Sequence, residues 1–219
     1  MYTLLADGSN HGNNRDESII KYIVIHYTAN NGDTARNNLS YFSRPGAKAS
    51  AHYFVDEKEV CQSVPDNVVA WHCGGKLQGS GGHTFYQKCT NTNSIGIELC
   101  TRITNGKAWF KDETVQNTIV LVRDLMRRYN IPLERVIRHY DVTGKECPKP
   151  FLEERIWADF KAMLVEDDEM IIKKEIKMNG QTYVVDTIFK DNRNFIAVRE
   201  LEKLGIKVSN EGNMAVLTI

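Results

Sequence analysis

The chain carries no excess charge of either sign: among its 219 residues, 28 Lys and Arg are balanced by 28 Asp and Glu. That balance removes the electrostatic footprint of a protein that grips nucleic acid or an anionic membrane surface. The first ten residues, Met1 to Asn10, lack both a basic stretch and an apolar run long enough for a secretion signal. No later segment approaches the length of a membrane span. The expectation is a chain made in the cytoplasm without a signal peptide and without membrane contact. Paired cysteine spacings are also missing. Cys61, Cys73, Cys89, Cys100 and Cys147 are odd in number and follow no repeated interval, which argues against a disulfide framework. What remains, 42% hydrophobic and 26% charged, is an ordinary globular composition, long enough for one domain or one and a half.

The segment 18–28 is β-branched and aromatic, nearly continuous in its apolar character. It reads as a central strand that delivers His26 to its carboxyl end, where α/β folds place their sites. Asp33 is the expected N-cap of a helix whose apolar side is Ala35, Leu39, Tyr41 and Phe42. The β-prone runs 49–55 and 59–64 flank a polar turn and read as a hairpin. From Pro65 to Thr92 lies a long irregular stretch of the kind that tends to be functional. Within it, Trp71 and His72 suit the wall of a groove. Residues 94–99 alternate at strand period, placing Glu98 with Ser94 and Gly96 on one face and Ile95, Ile97 and Leu99 on the other. Asp112 is the expected cap of an amphipathic helix carrying Val115, Ile119, Val122, Met126 and Tyr129. A short strand at 136–137 then leads to His139, and 151–164 reads as a last helix.

An acidic break at 166–169 reads as a linker, so the chain divides into 1–165, the linker, and a small C-terminal domain over 170–219. The tail has an Asn179–Gly180 turn between β-prone runs, a helix expected over 195–204, and a hairpin around 210–213. At about 50 residues it is near the lower limit for folding alone, so docking or dimerisation is expected of it.

His139, Lys145 and Cys147 stand within one short segment, a neutral imidazole and a thiol flanking a lysine. Catalytic zinc sites take three protein ligands and keep a fourth position for water. His26, His139 and Cys147 are a candidate set, each at or just beyond a strand end. Against it stands the ordinary reading of a strand histidine as a hydrogen-bonded core residue. His52 and Cys73 are read in that ordinary way. Asp141 either orients a ligand histidine or caps its own loop.

Five motifs then decide between these readings: Val24-Ile-His-Tyr-Thr28, Ser50-Ala-His-Tyr-Phe54, Ala70-Trp-His-Cys-Gly74, Asn93-Ser-Ile-Gly-Ile-Glu-Leu99, and His139 with Lys145, Cys147 and Pro148. In this order they resemble the zinc-dependent N-acetylmuramoyl-L-alanine amidases, both the T7 lysozyme-like enzymes and the peptidoglycan recognition proteins, over roughly residues 18 to 162. The resemblance implies an α/β fold, a central mixed β-sheet flanked by helices, with the small α+β domain appended. It implies that His26, His139 and Cys147 bind zinc (Zn2+), that Glu98 is the catalytic carboxylate and Lys145 the catalytic lysine. His72, Trp71 and Asn93 fall where substrate contacts are expected. The T7-like pattern has a catalytic tyrosine where this chain has Ala51, and Tyr53, two residues on, is the candidate replacement.

The implied reaction is hydrolysis of the amide between N-acetylmuramic acid and the L-alanine of the stem peptide, with bacterial peptidoglycan as the partner. A phage endolysin, held in the cytoplasm and released to the wall, suits the missing signal peptide better than a host autolysin. A non-catalytic peptidoglycan-binding module is the alternative, and the presence of Cys147 speaks against it. The tail, through Met178-Asn-Gly180, Asp186, Val198-Arg-Glu-Leu201, Leu204-Gly205 and Val216-Leu-Thr-Ile219, resembles the domain family named after the N-terminal domain of copper amine oxidases. That resemblance implies wall anchoring without copper, with a homo-oligomer through the tail as the other reading.

Overall fold

In the computed structural model, which describes residues 1–165, 170–178, 181–190, 193–196, 198–211 and 214–218, the chain divides into two compact units, Met1–Val165 and Glu166–Ile219. The first begins with short strands β1 (Tyr2–Thr3) and β2 (His11–Asn14), before the long apolar run forms β3 (Tyr22–Tyr27). Helix α1 (Ala35–Phe42) and strands β4 (Tyr53–Val55), β5 (Val60–Gln62), β6 (Val68–Ala70) and β7 (Ser94–Leu99) follow. A hairpin of β8 (Arg102–Thr104) and β9 (Lys107–Trp109) precedes helix α2 (Asp112–Arg128). Strand β10 (Val136–Arg138) and helices α3 (His139–Thr143) and α4 (Glu154–Val165) complete the unit.

Six strands form a mixed sheet in the order β1-β5-β4-β7-β3-β10. β3 runs parallel to β7 and β10, β7 runs parallel to β4, and β4 and β5 pair as an antiparallel hairpin. Parallel neighbours end on the same edge of a sheet. The residues at the ends of β3, β7 and β10 are therefore neighbours in space although far apart in sequence.

Strand alternation gives this sheet two faces. Ile23 and Ile25, Ile95, Ile97 and Leu99, and Val136 pack against Ile119, Val122 and Leu125 of α2 and Trp157, Phe160 and Leu164 of α4. Full burial of each such side chain is worth about 1.5–3 kcal/mol, which makes this face the main core. The other face presents Val24 and His26 from β3 and Ser94, Gly96 and Glu98 from β7. Its covering is split. Helix α1 lays Ala35 and Leu39 on Phe54 and Cys61, while Cys73, Cys89 and Val142 close over Val24 and Ile137. The polar site lies on this second face.

Several boundaries differ from the sequence expectation. Thr34 caps α1, its hydroxyl oxygen accepting from the Asn37 amide at 3.1 Å, whereas Asp33 accepts from the side chain of Asn38 at 2.7 Å. Lys111 occupies the cap position of α2, and Asp112 is the first helical residue. There it still favours the positive end of the helix dipole. The stretch 65–92 contains β6, paired antiparallel with β2. The β2 sequence His-Gly-Asn-Asn has no β-branched residue, so propensity gave no sign of it.

In the second unit, β11 (Met170–Met178), β12 (Gln181–Lys190) and β13 (Arg193–Ile196) form an antiparallel sheet. Helix α5 (Val198–Lys203) and the hairpin β14 (Lys207–Glu211) and β15 (Met214–Thr218) follow. Phe195 belongs to β13, so the helix expected over 195–204 starts later. The expected linker at 166–169, the Asn179–Gly180 turn, residues 212–213 and Ile219 lie outside the described residues. No helix among the described residues is long and apolar enough to cross a membrane.

Candidate metal centre and active site

His26 is the penultimate residue of β3, and His139 opens α3 directly after the parallel neighbour β10. Helix α3 stops at Gly144, whose φ of 77° is left-handed and whose Cα lies under Gln78, so that a Cβ would sit 2.0 Å from the Gln78 carbonyl oxygen. Glycine is therefore required where the chain turns back. The turn returns Cys147 to the start of α3, where its carbonyl accepts from the Tyr140 amide at 2.8 Å. Candidate ligand atoms of His26, His139 and Cys147 all lie within 4.8 Å of one another. The Cys147 Sγ is 3.6 Å from His26 Nδ1.

All three side chains are buried, and neither ring nitrogen of His139 has a hydrogen-bond partner. Leaving such a group unsatisfied costs about 1–3 kcal/mol, so an unpartnered His139 nitrogen within 4.8 Å of a neighbouring imidazole and thiol points to a cation. Two imidazoles and a thiol suit a borderline-soft ion such as zinc, and three protein donors leave a coordination position open. Among the described residues no other group of three or more metal-ligating side chains converges in this way.

Burial, reinforced by Lys145, pushes the His139 imidazole down to about 4. Burial also drives His26 well below the ordinary histidine value, with His139, His72 and Lys145 adding to it. Both rings are thus neutral at physiological pH, with lone pairs available. Burial pushes the Cys147 thiol up to about 12, and the nearby Glu98 carboxylate adds to the rise. A cation at the site would displace that proton, since metal coordination favours the thiolate.

Glu98 stands in register with His26 across the β3–β7 pair. Its Oε2 is buried without a partner. Burial raises the carboxyl to about 8, with Asp33 adding and Lys145 opposing. A carboxyl tuned to that range can both accept and return a proton near neutral pH. Lys145 is exposed two residues before Cys147, and its charge reaches Glu98, His26 and His139. The structure thus brings five sequence-chosen residues to one edge of the sheet.

The remaining candidates separate. Trp71 is 36% exposed, a surface ring whose backbone amide is held by the Ser50 hydroxyl at 3.0 Å. Asn93 is half-buried and spends its side-chain groups locally. Its carbonyl oxygen accepts from the Thr90 amide at 2.8 Å and its amino group donates to Lys88 O at 2.9 Å, so the side chain braces its own loop. His72 is turned inward: its Nδ1 is 3.0 Å from His26 Nε2 and its Nε2 is 3.1 Å from Ser94 Oγ.

Tyr53 is a correction. It is buried in the helix-side core, and its hydroxyl donates to Asp66 at 2.8 Å. Ala51 precedes β4 and packs with Phe54 and Leu39 instead. Replacement by Tyr53 required it to face the site, but β4 starts at Tyr53 and its register with Ile97 turns the ring into the core. His52 is fully buried and accepts from the Gly96 amide at 3.0 Å, a structural role as read from sequence. Asp141 resolves as a cap: it accepts from the Arg138 backbone at 2.8 Å and pairs with the Arg138 guanidinium at 2.8 Å. Sequence reasoning missed Ser94 and Gly96 as supports of the site. The signal was available, because a glycine inside a β-branched strand marks close approach of another group.

Comparison with known proteins places these residues in context. Residues 15–150 match the family model described as N-acetylmuramoyl-L-alanine amidase. The N-acetylmuramoyl-L-alanine amidase CwlL of Bacillus licheniformis is 39% identical over 140 residues, covering 62% of this chain and 38% of that relative. CwlH of Bacillus subtilis, of the same description, is 36% identical over 141 residues and is covered to 50%. The chain therefore spans well under two thirds of these curated relatives. Among solved structures, a mutant endolysin from Bacillus subtilis matches with a TM-score of 0.59 and 32% identity, over 74% of this chain and 97% of that one. PlyL matches with a TM-score of 0.61 and 28% identity, over 75% of this chain and 96% of its own.

Proposed function

The chain belongs to the N-acetylmuramoyl-L-alanine amidase family, and from that membership we propose that it hydrolyses the amide bond between N-acetylmuramic acid and L-alanine in peptidoglycan. The observation that carries the proposal is the convergence of His26, His139 and Cys147 within 4.8 Å beside a carboxyl in register with His26. His26, His139 and Cys147 would hold Zn2+. When bound, zinc supplies Lewis acidity that polarises an amide carbonyl and acidifies water. Glu98 takes the proton of the attacking water and passes it to the departing alanine nitrogen. Lys145 offers its charge to the oxyanion of the tetrahedral state; loss of one such donor costs about 10²–10³ in rate.

Solved structures similar to this chain include an endolysin, which supports release of this enzyme to the host wall during lysis as its setting. Trp71 at the surface is suited to line the sugar-peptide groove. The tail over 170–219 serves as a wall anchor, a reading supported by its resemblance to the copper amine oxidase N-terminal-like domains of cell-wall proteins.

Mass spectrometry of peptidoglycan digested with and without chelator tests the reaction. Free L-alanine N-termini that disappear with chelator are expected. New reducing ends would mean a glycosidase, and wall binding without any cleavage would mean a recognition module.

A further inference from the structure

We propose that His72, Ser94 and the Thr90 carbonyl form a hydrogen-bond relay that fixes the tautomer of His26 and so selects Nδ1 as the nitrogen offered to the metal. The proposal rests on the reading that His26, His139 and Cys147 hold zinc, and it makes His72 a positioning residue.

The direction of the relay follows from its far end. A carbonyl oxygen can only accept, so the Ser94 hydroxyl, 2.6 Å from Thr90 O, must donate its proton there. Ser94 Oγ is then an acceptor for every other neighbour. His72 Nε2, 3.1 Å away, must carry a proton and donate it. Where the His72 ring carries that one proton only, its Nδ1 is bare and accepts. Its neighbour at 3.0 Å is His26 Nε2, which must therefore be protonated. His26 Nδ1 is left with a free lone pair, and this is the atom that faces Cys147 Sγ at 3.6 Å. The second lone pair of Ser94 Oγ is within reach of the buried Cys73 thiol at 3.6 Å, which is compatible with the same assignment.

The sheet enforces the geometry. Gly96 lies on β7 between Ser94 and Glu98, directly beneath the His72 ring. A Cβ there would meet His72 Cγ at 2.5 Å and Nδ1 at 2.6 Å. The missing side chain lets the imidazole lie against the strand between its donor and its acceptor. Ligating histidines commonly give their second N–H to a carboxylate or carbonyl. Here a second histidine takes that place, with its ring nitrogen 3.0 Å from His26 Nε2.

Two measurements test the relay. In metal-free protein labelled with 15N-histidine, NMR should show His26 and His72 each protonated at Nε2 and bare at Nδ1. Protonation of His26 at Nδ1, or a mixture of tautomers, overturns the proposal. Zinc affinity by chelator competition should fall about 10–100-fold in His72→Ala, less in Ser94→Ala, and recover in His72→Gln, whose amide can both accept and donate. Unchanged affinity in a folded His72→Ala also overturns it. If His72→Ala fails to fold, Ser94→Ala takes its place and unchanged affinity there has the same meaning. Wild-type protein that binds no zinc would instead sink the functional reading, independently of the tautomers.

Discussion

Glu98 and Tyr53 project from opposite faces of one sheet, and their surroundings give them different work. Glu98 has a buried oxygen without a partner and a carboxyl raised to about 8. Glu98→Gln preserves the shape but cannot take a proton. It should lower release of L-alanine N-termini by about 10²–10⁴-fold while leaving zinc content unchanged, as read by metal analysis of the purified variant. Full residual activity would move the base elsewhere. Tyr53 shares Asp66 with Tyr129 and Arg128, at 2.8 and 3.0 Å respectively. Tyr53→Phe should therefore cost about 1 kcal/mol in urea unfolding and leave turnover untouched. A large rate loss would return Tyr53 to the mechanism.

At the scale of elements, β7 does three jobs by alternation alone. Ile95, Ile97 and Leu99 fill the core, Glu98 enters the site, and Gly96 with Ser94 seats His72. Gly96→Ala adds a single methyl group, but its Cβ would meet the His72 imidazole at 2.5–2.8 Å. Overpacking of this kind costs about 1–3 kcal/mol. The variant should melt at lower temperature and, because the displaced ring no longer holds His26, should bind zinc more weakly. A variant that melts lower yet binds zinc as before would confine the effect to packing. Helix α3 shows a related economy. Arg138, buried at its start, pairs with Asp141 and donates to the Phe151 carbonyl at 3.0 Å. It thereby anchors the helix that carries His139.

At the scale of the molecule, the buried ionisable groups set a pH profile for the metal-free protein. His26, His52 and His139 all have folded values depressed by burial, His139 to about 4. The native state then holds fewer protons than the unfolded chain between that value and the ordinary 6.5. Their contribution to stability is present above about 6.5 and is lost as pH falls below it, for His139 through about 4. Glu98 acts with the opposite sign: its raised value favours the folded state at low pH, and that contribution is lost as pH rises through about 8. Urea midpoints should fall on the acid side of 6.5, and Glu98→Gln should remove the opposing loss of stability between 4.5 and about 8. A midpoint independent of pH between 4 and 6.5 would refute the buried-neutral assignment of the histidines. For the tail, removal of residues 166–219 should abolish pull-down on intact walls while sparing cleavage of soluble fragments. Undiminished binding with a changed oligomer size would reject anchoring.

The sequence by itself determined the local features. The periodicity of 94–99 assigned Glu98 a face, the apolar run of 18–28 made a central strand, and five motifs in order carried the resemblance to the amidase family. These depend on neighbours a few residues away, which is the range over which backbone alternation and helix periodicity act. Only the tertiary structure decided the rest: that β3 lies between β7 and β10, that register with Ile97 turns Tyr53 into the core, that Asn93 braces a loop, and that His72 turns inward to His26. The reason is that strand order, register and the choice between two ring nitrogens are set by contacts between distant segments. Both nitrogens of an isolated histidine can bind a metal or carry a proton, and only its surroundings choose between them.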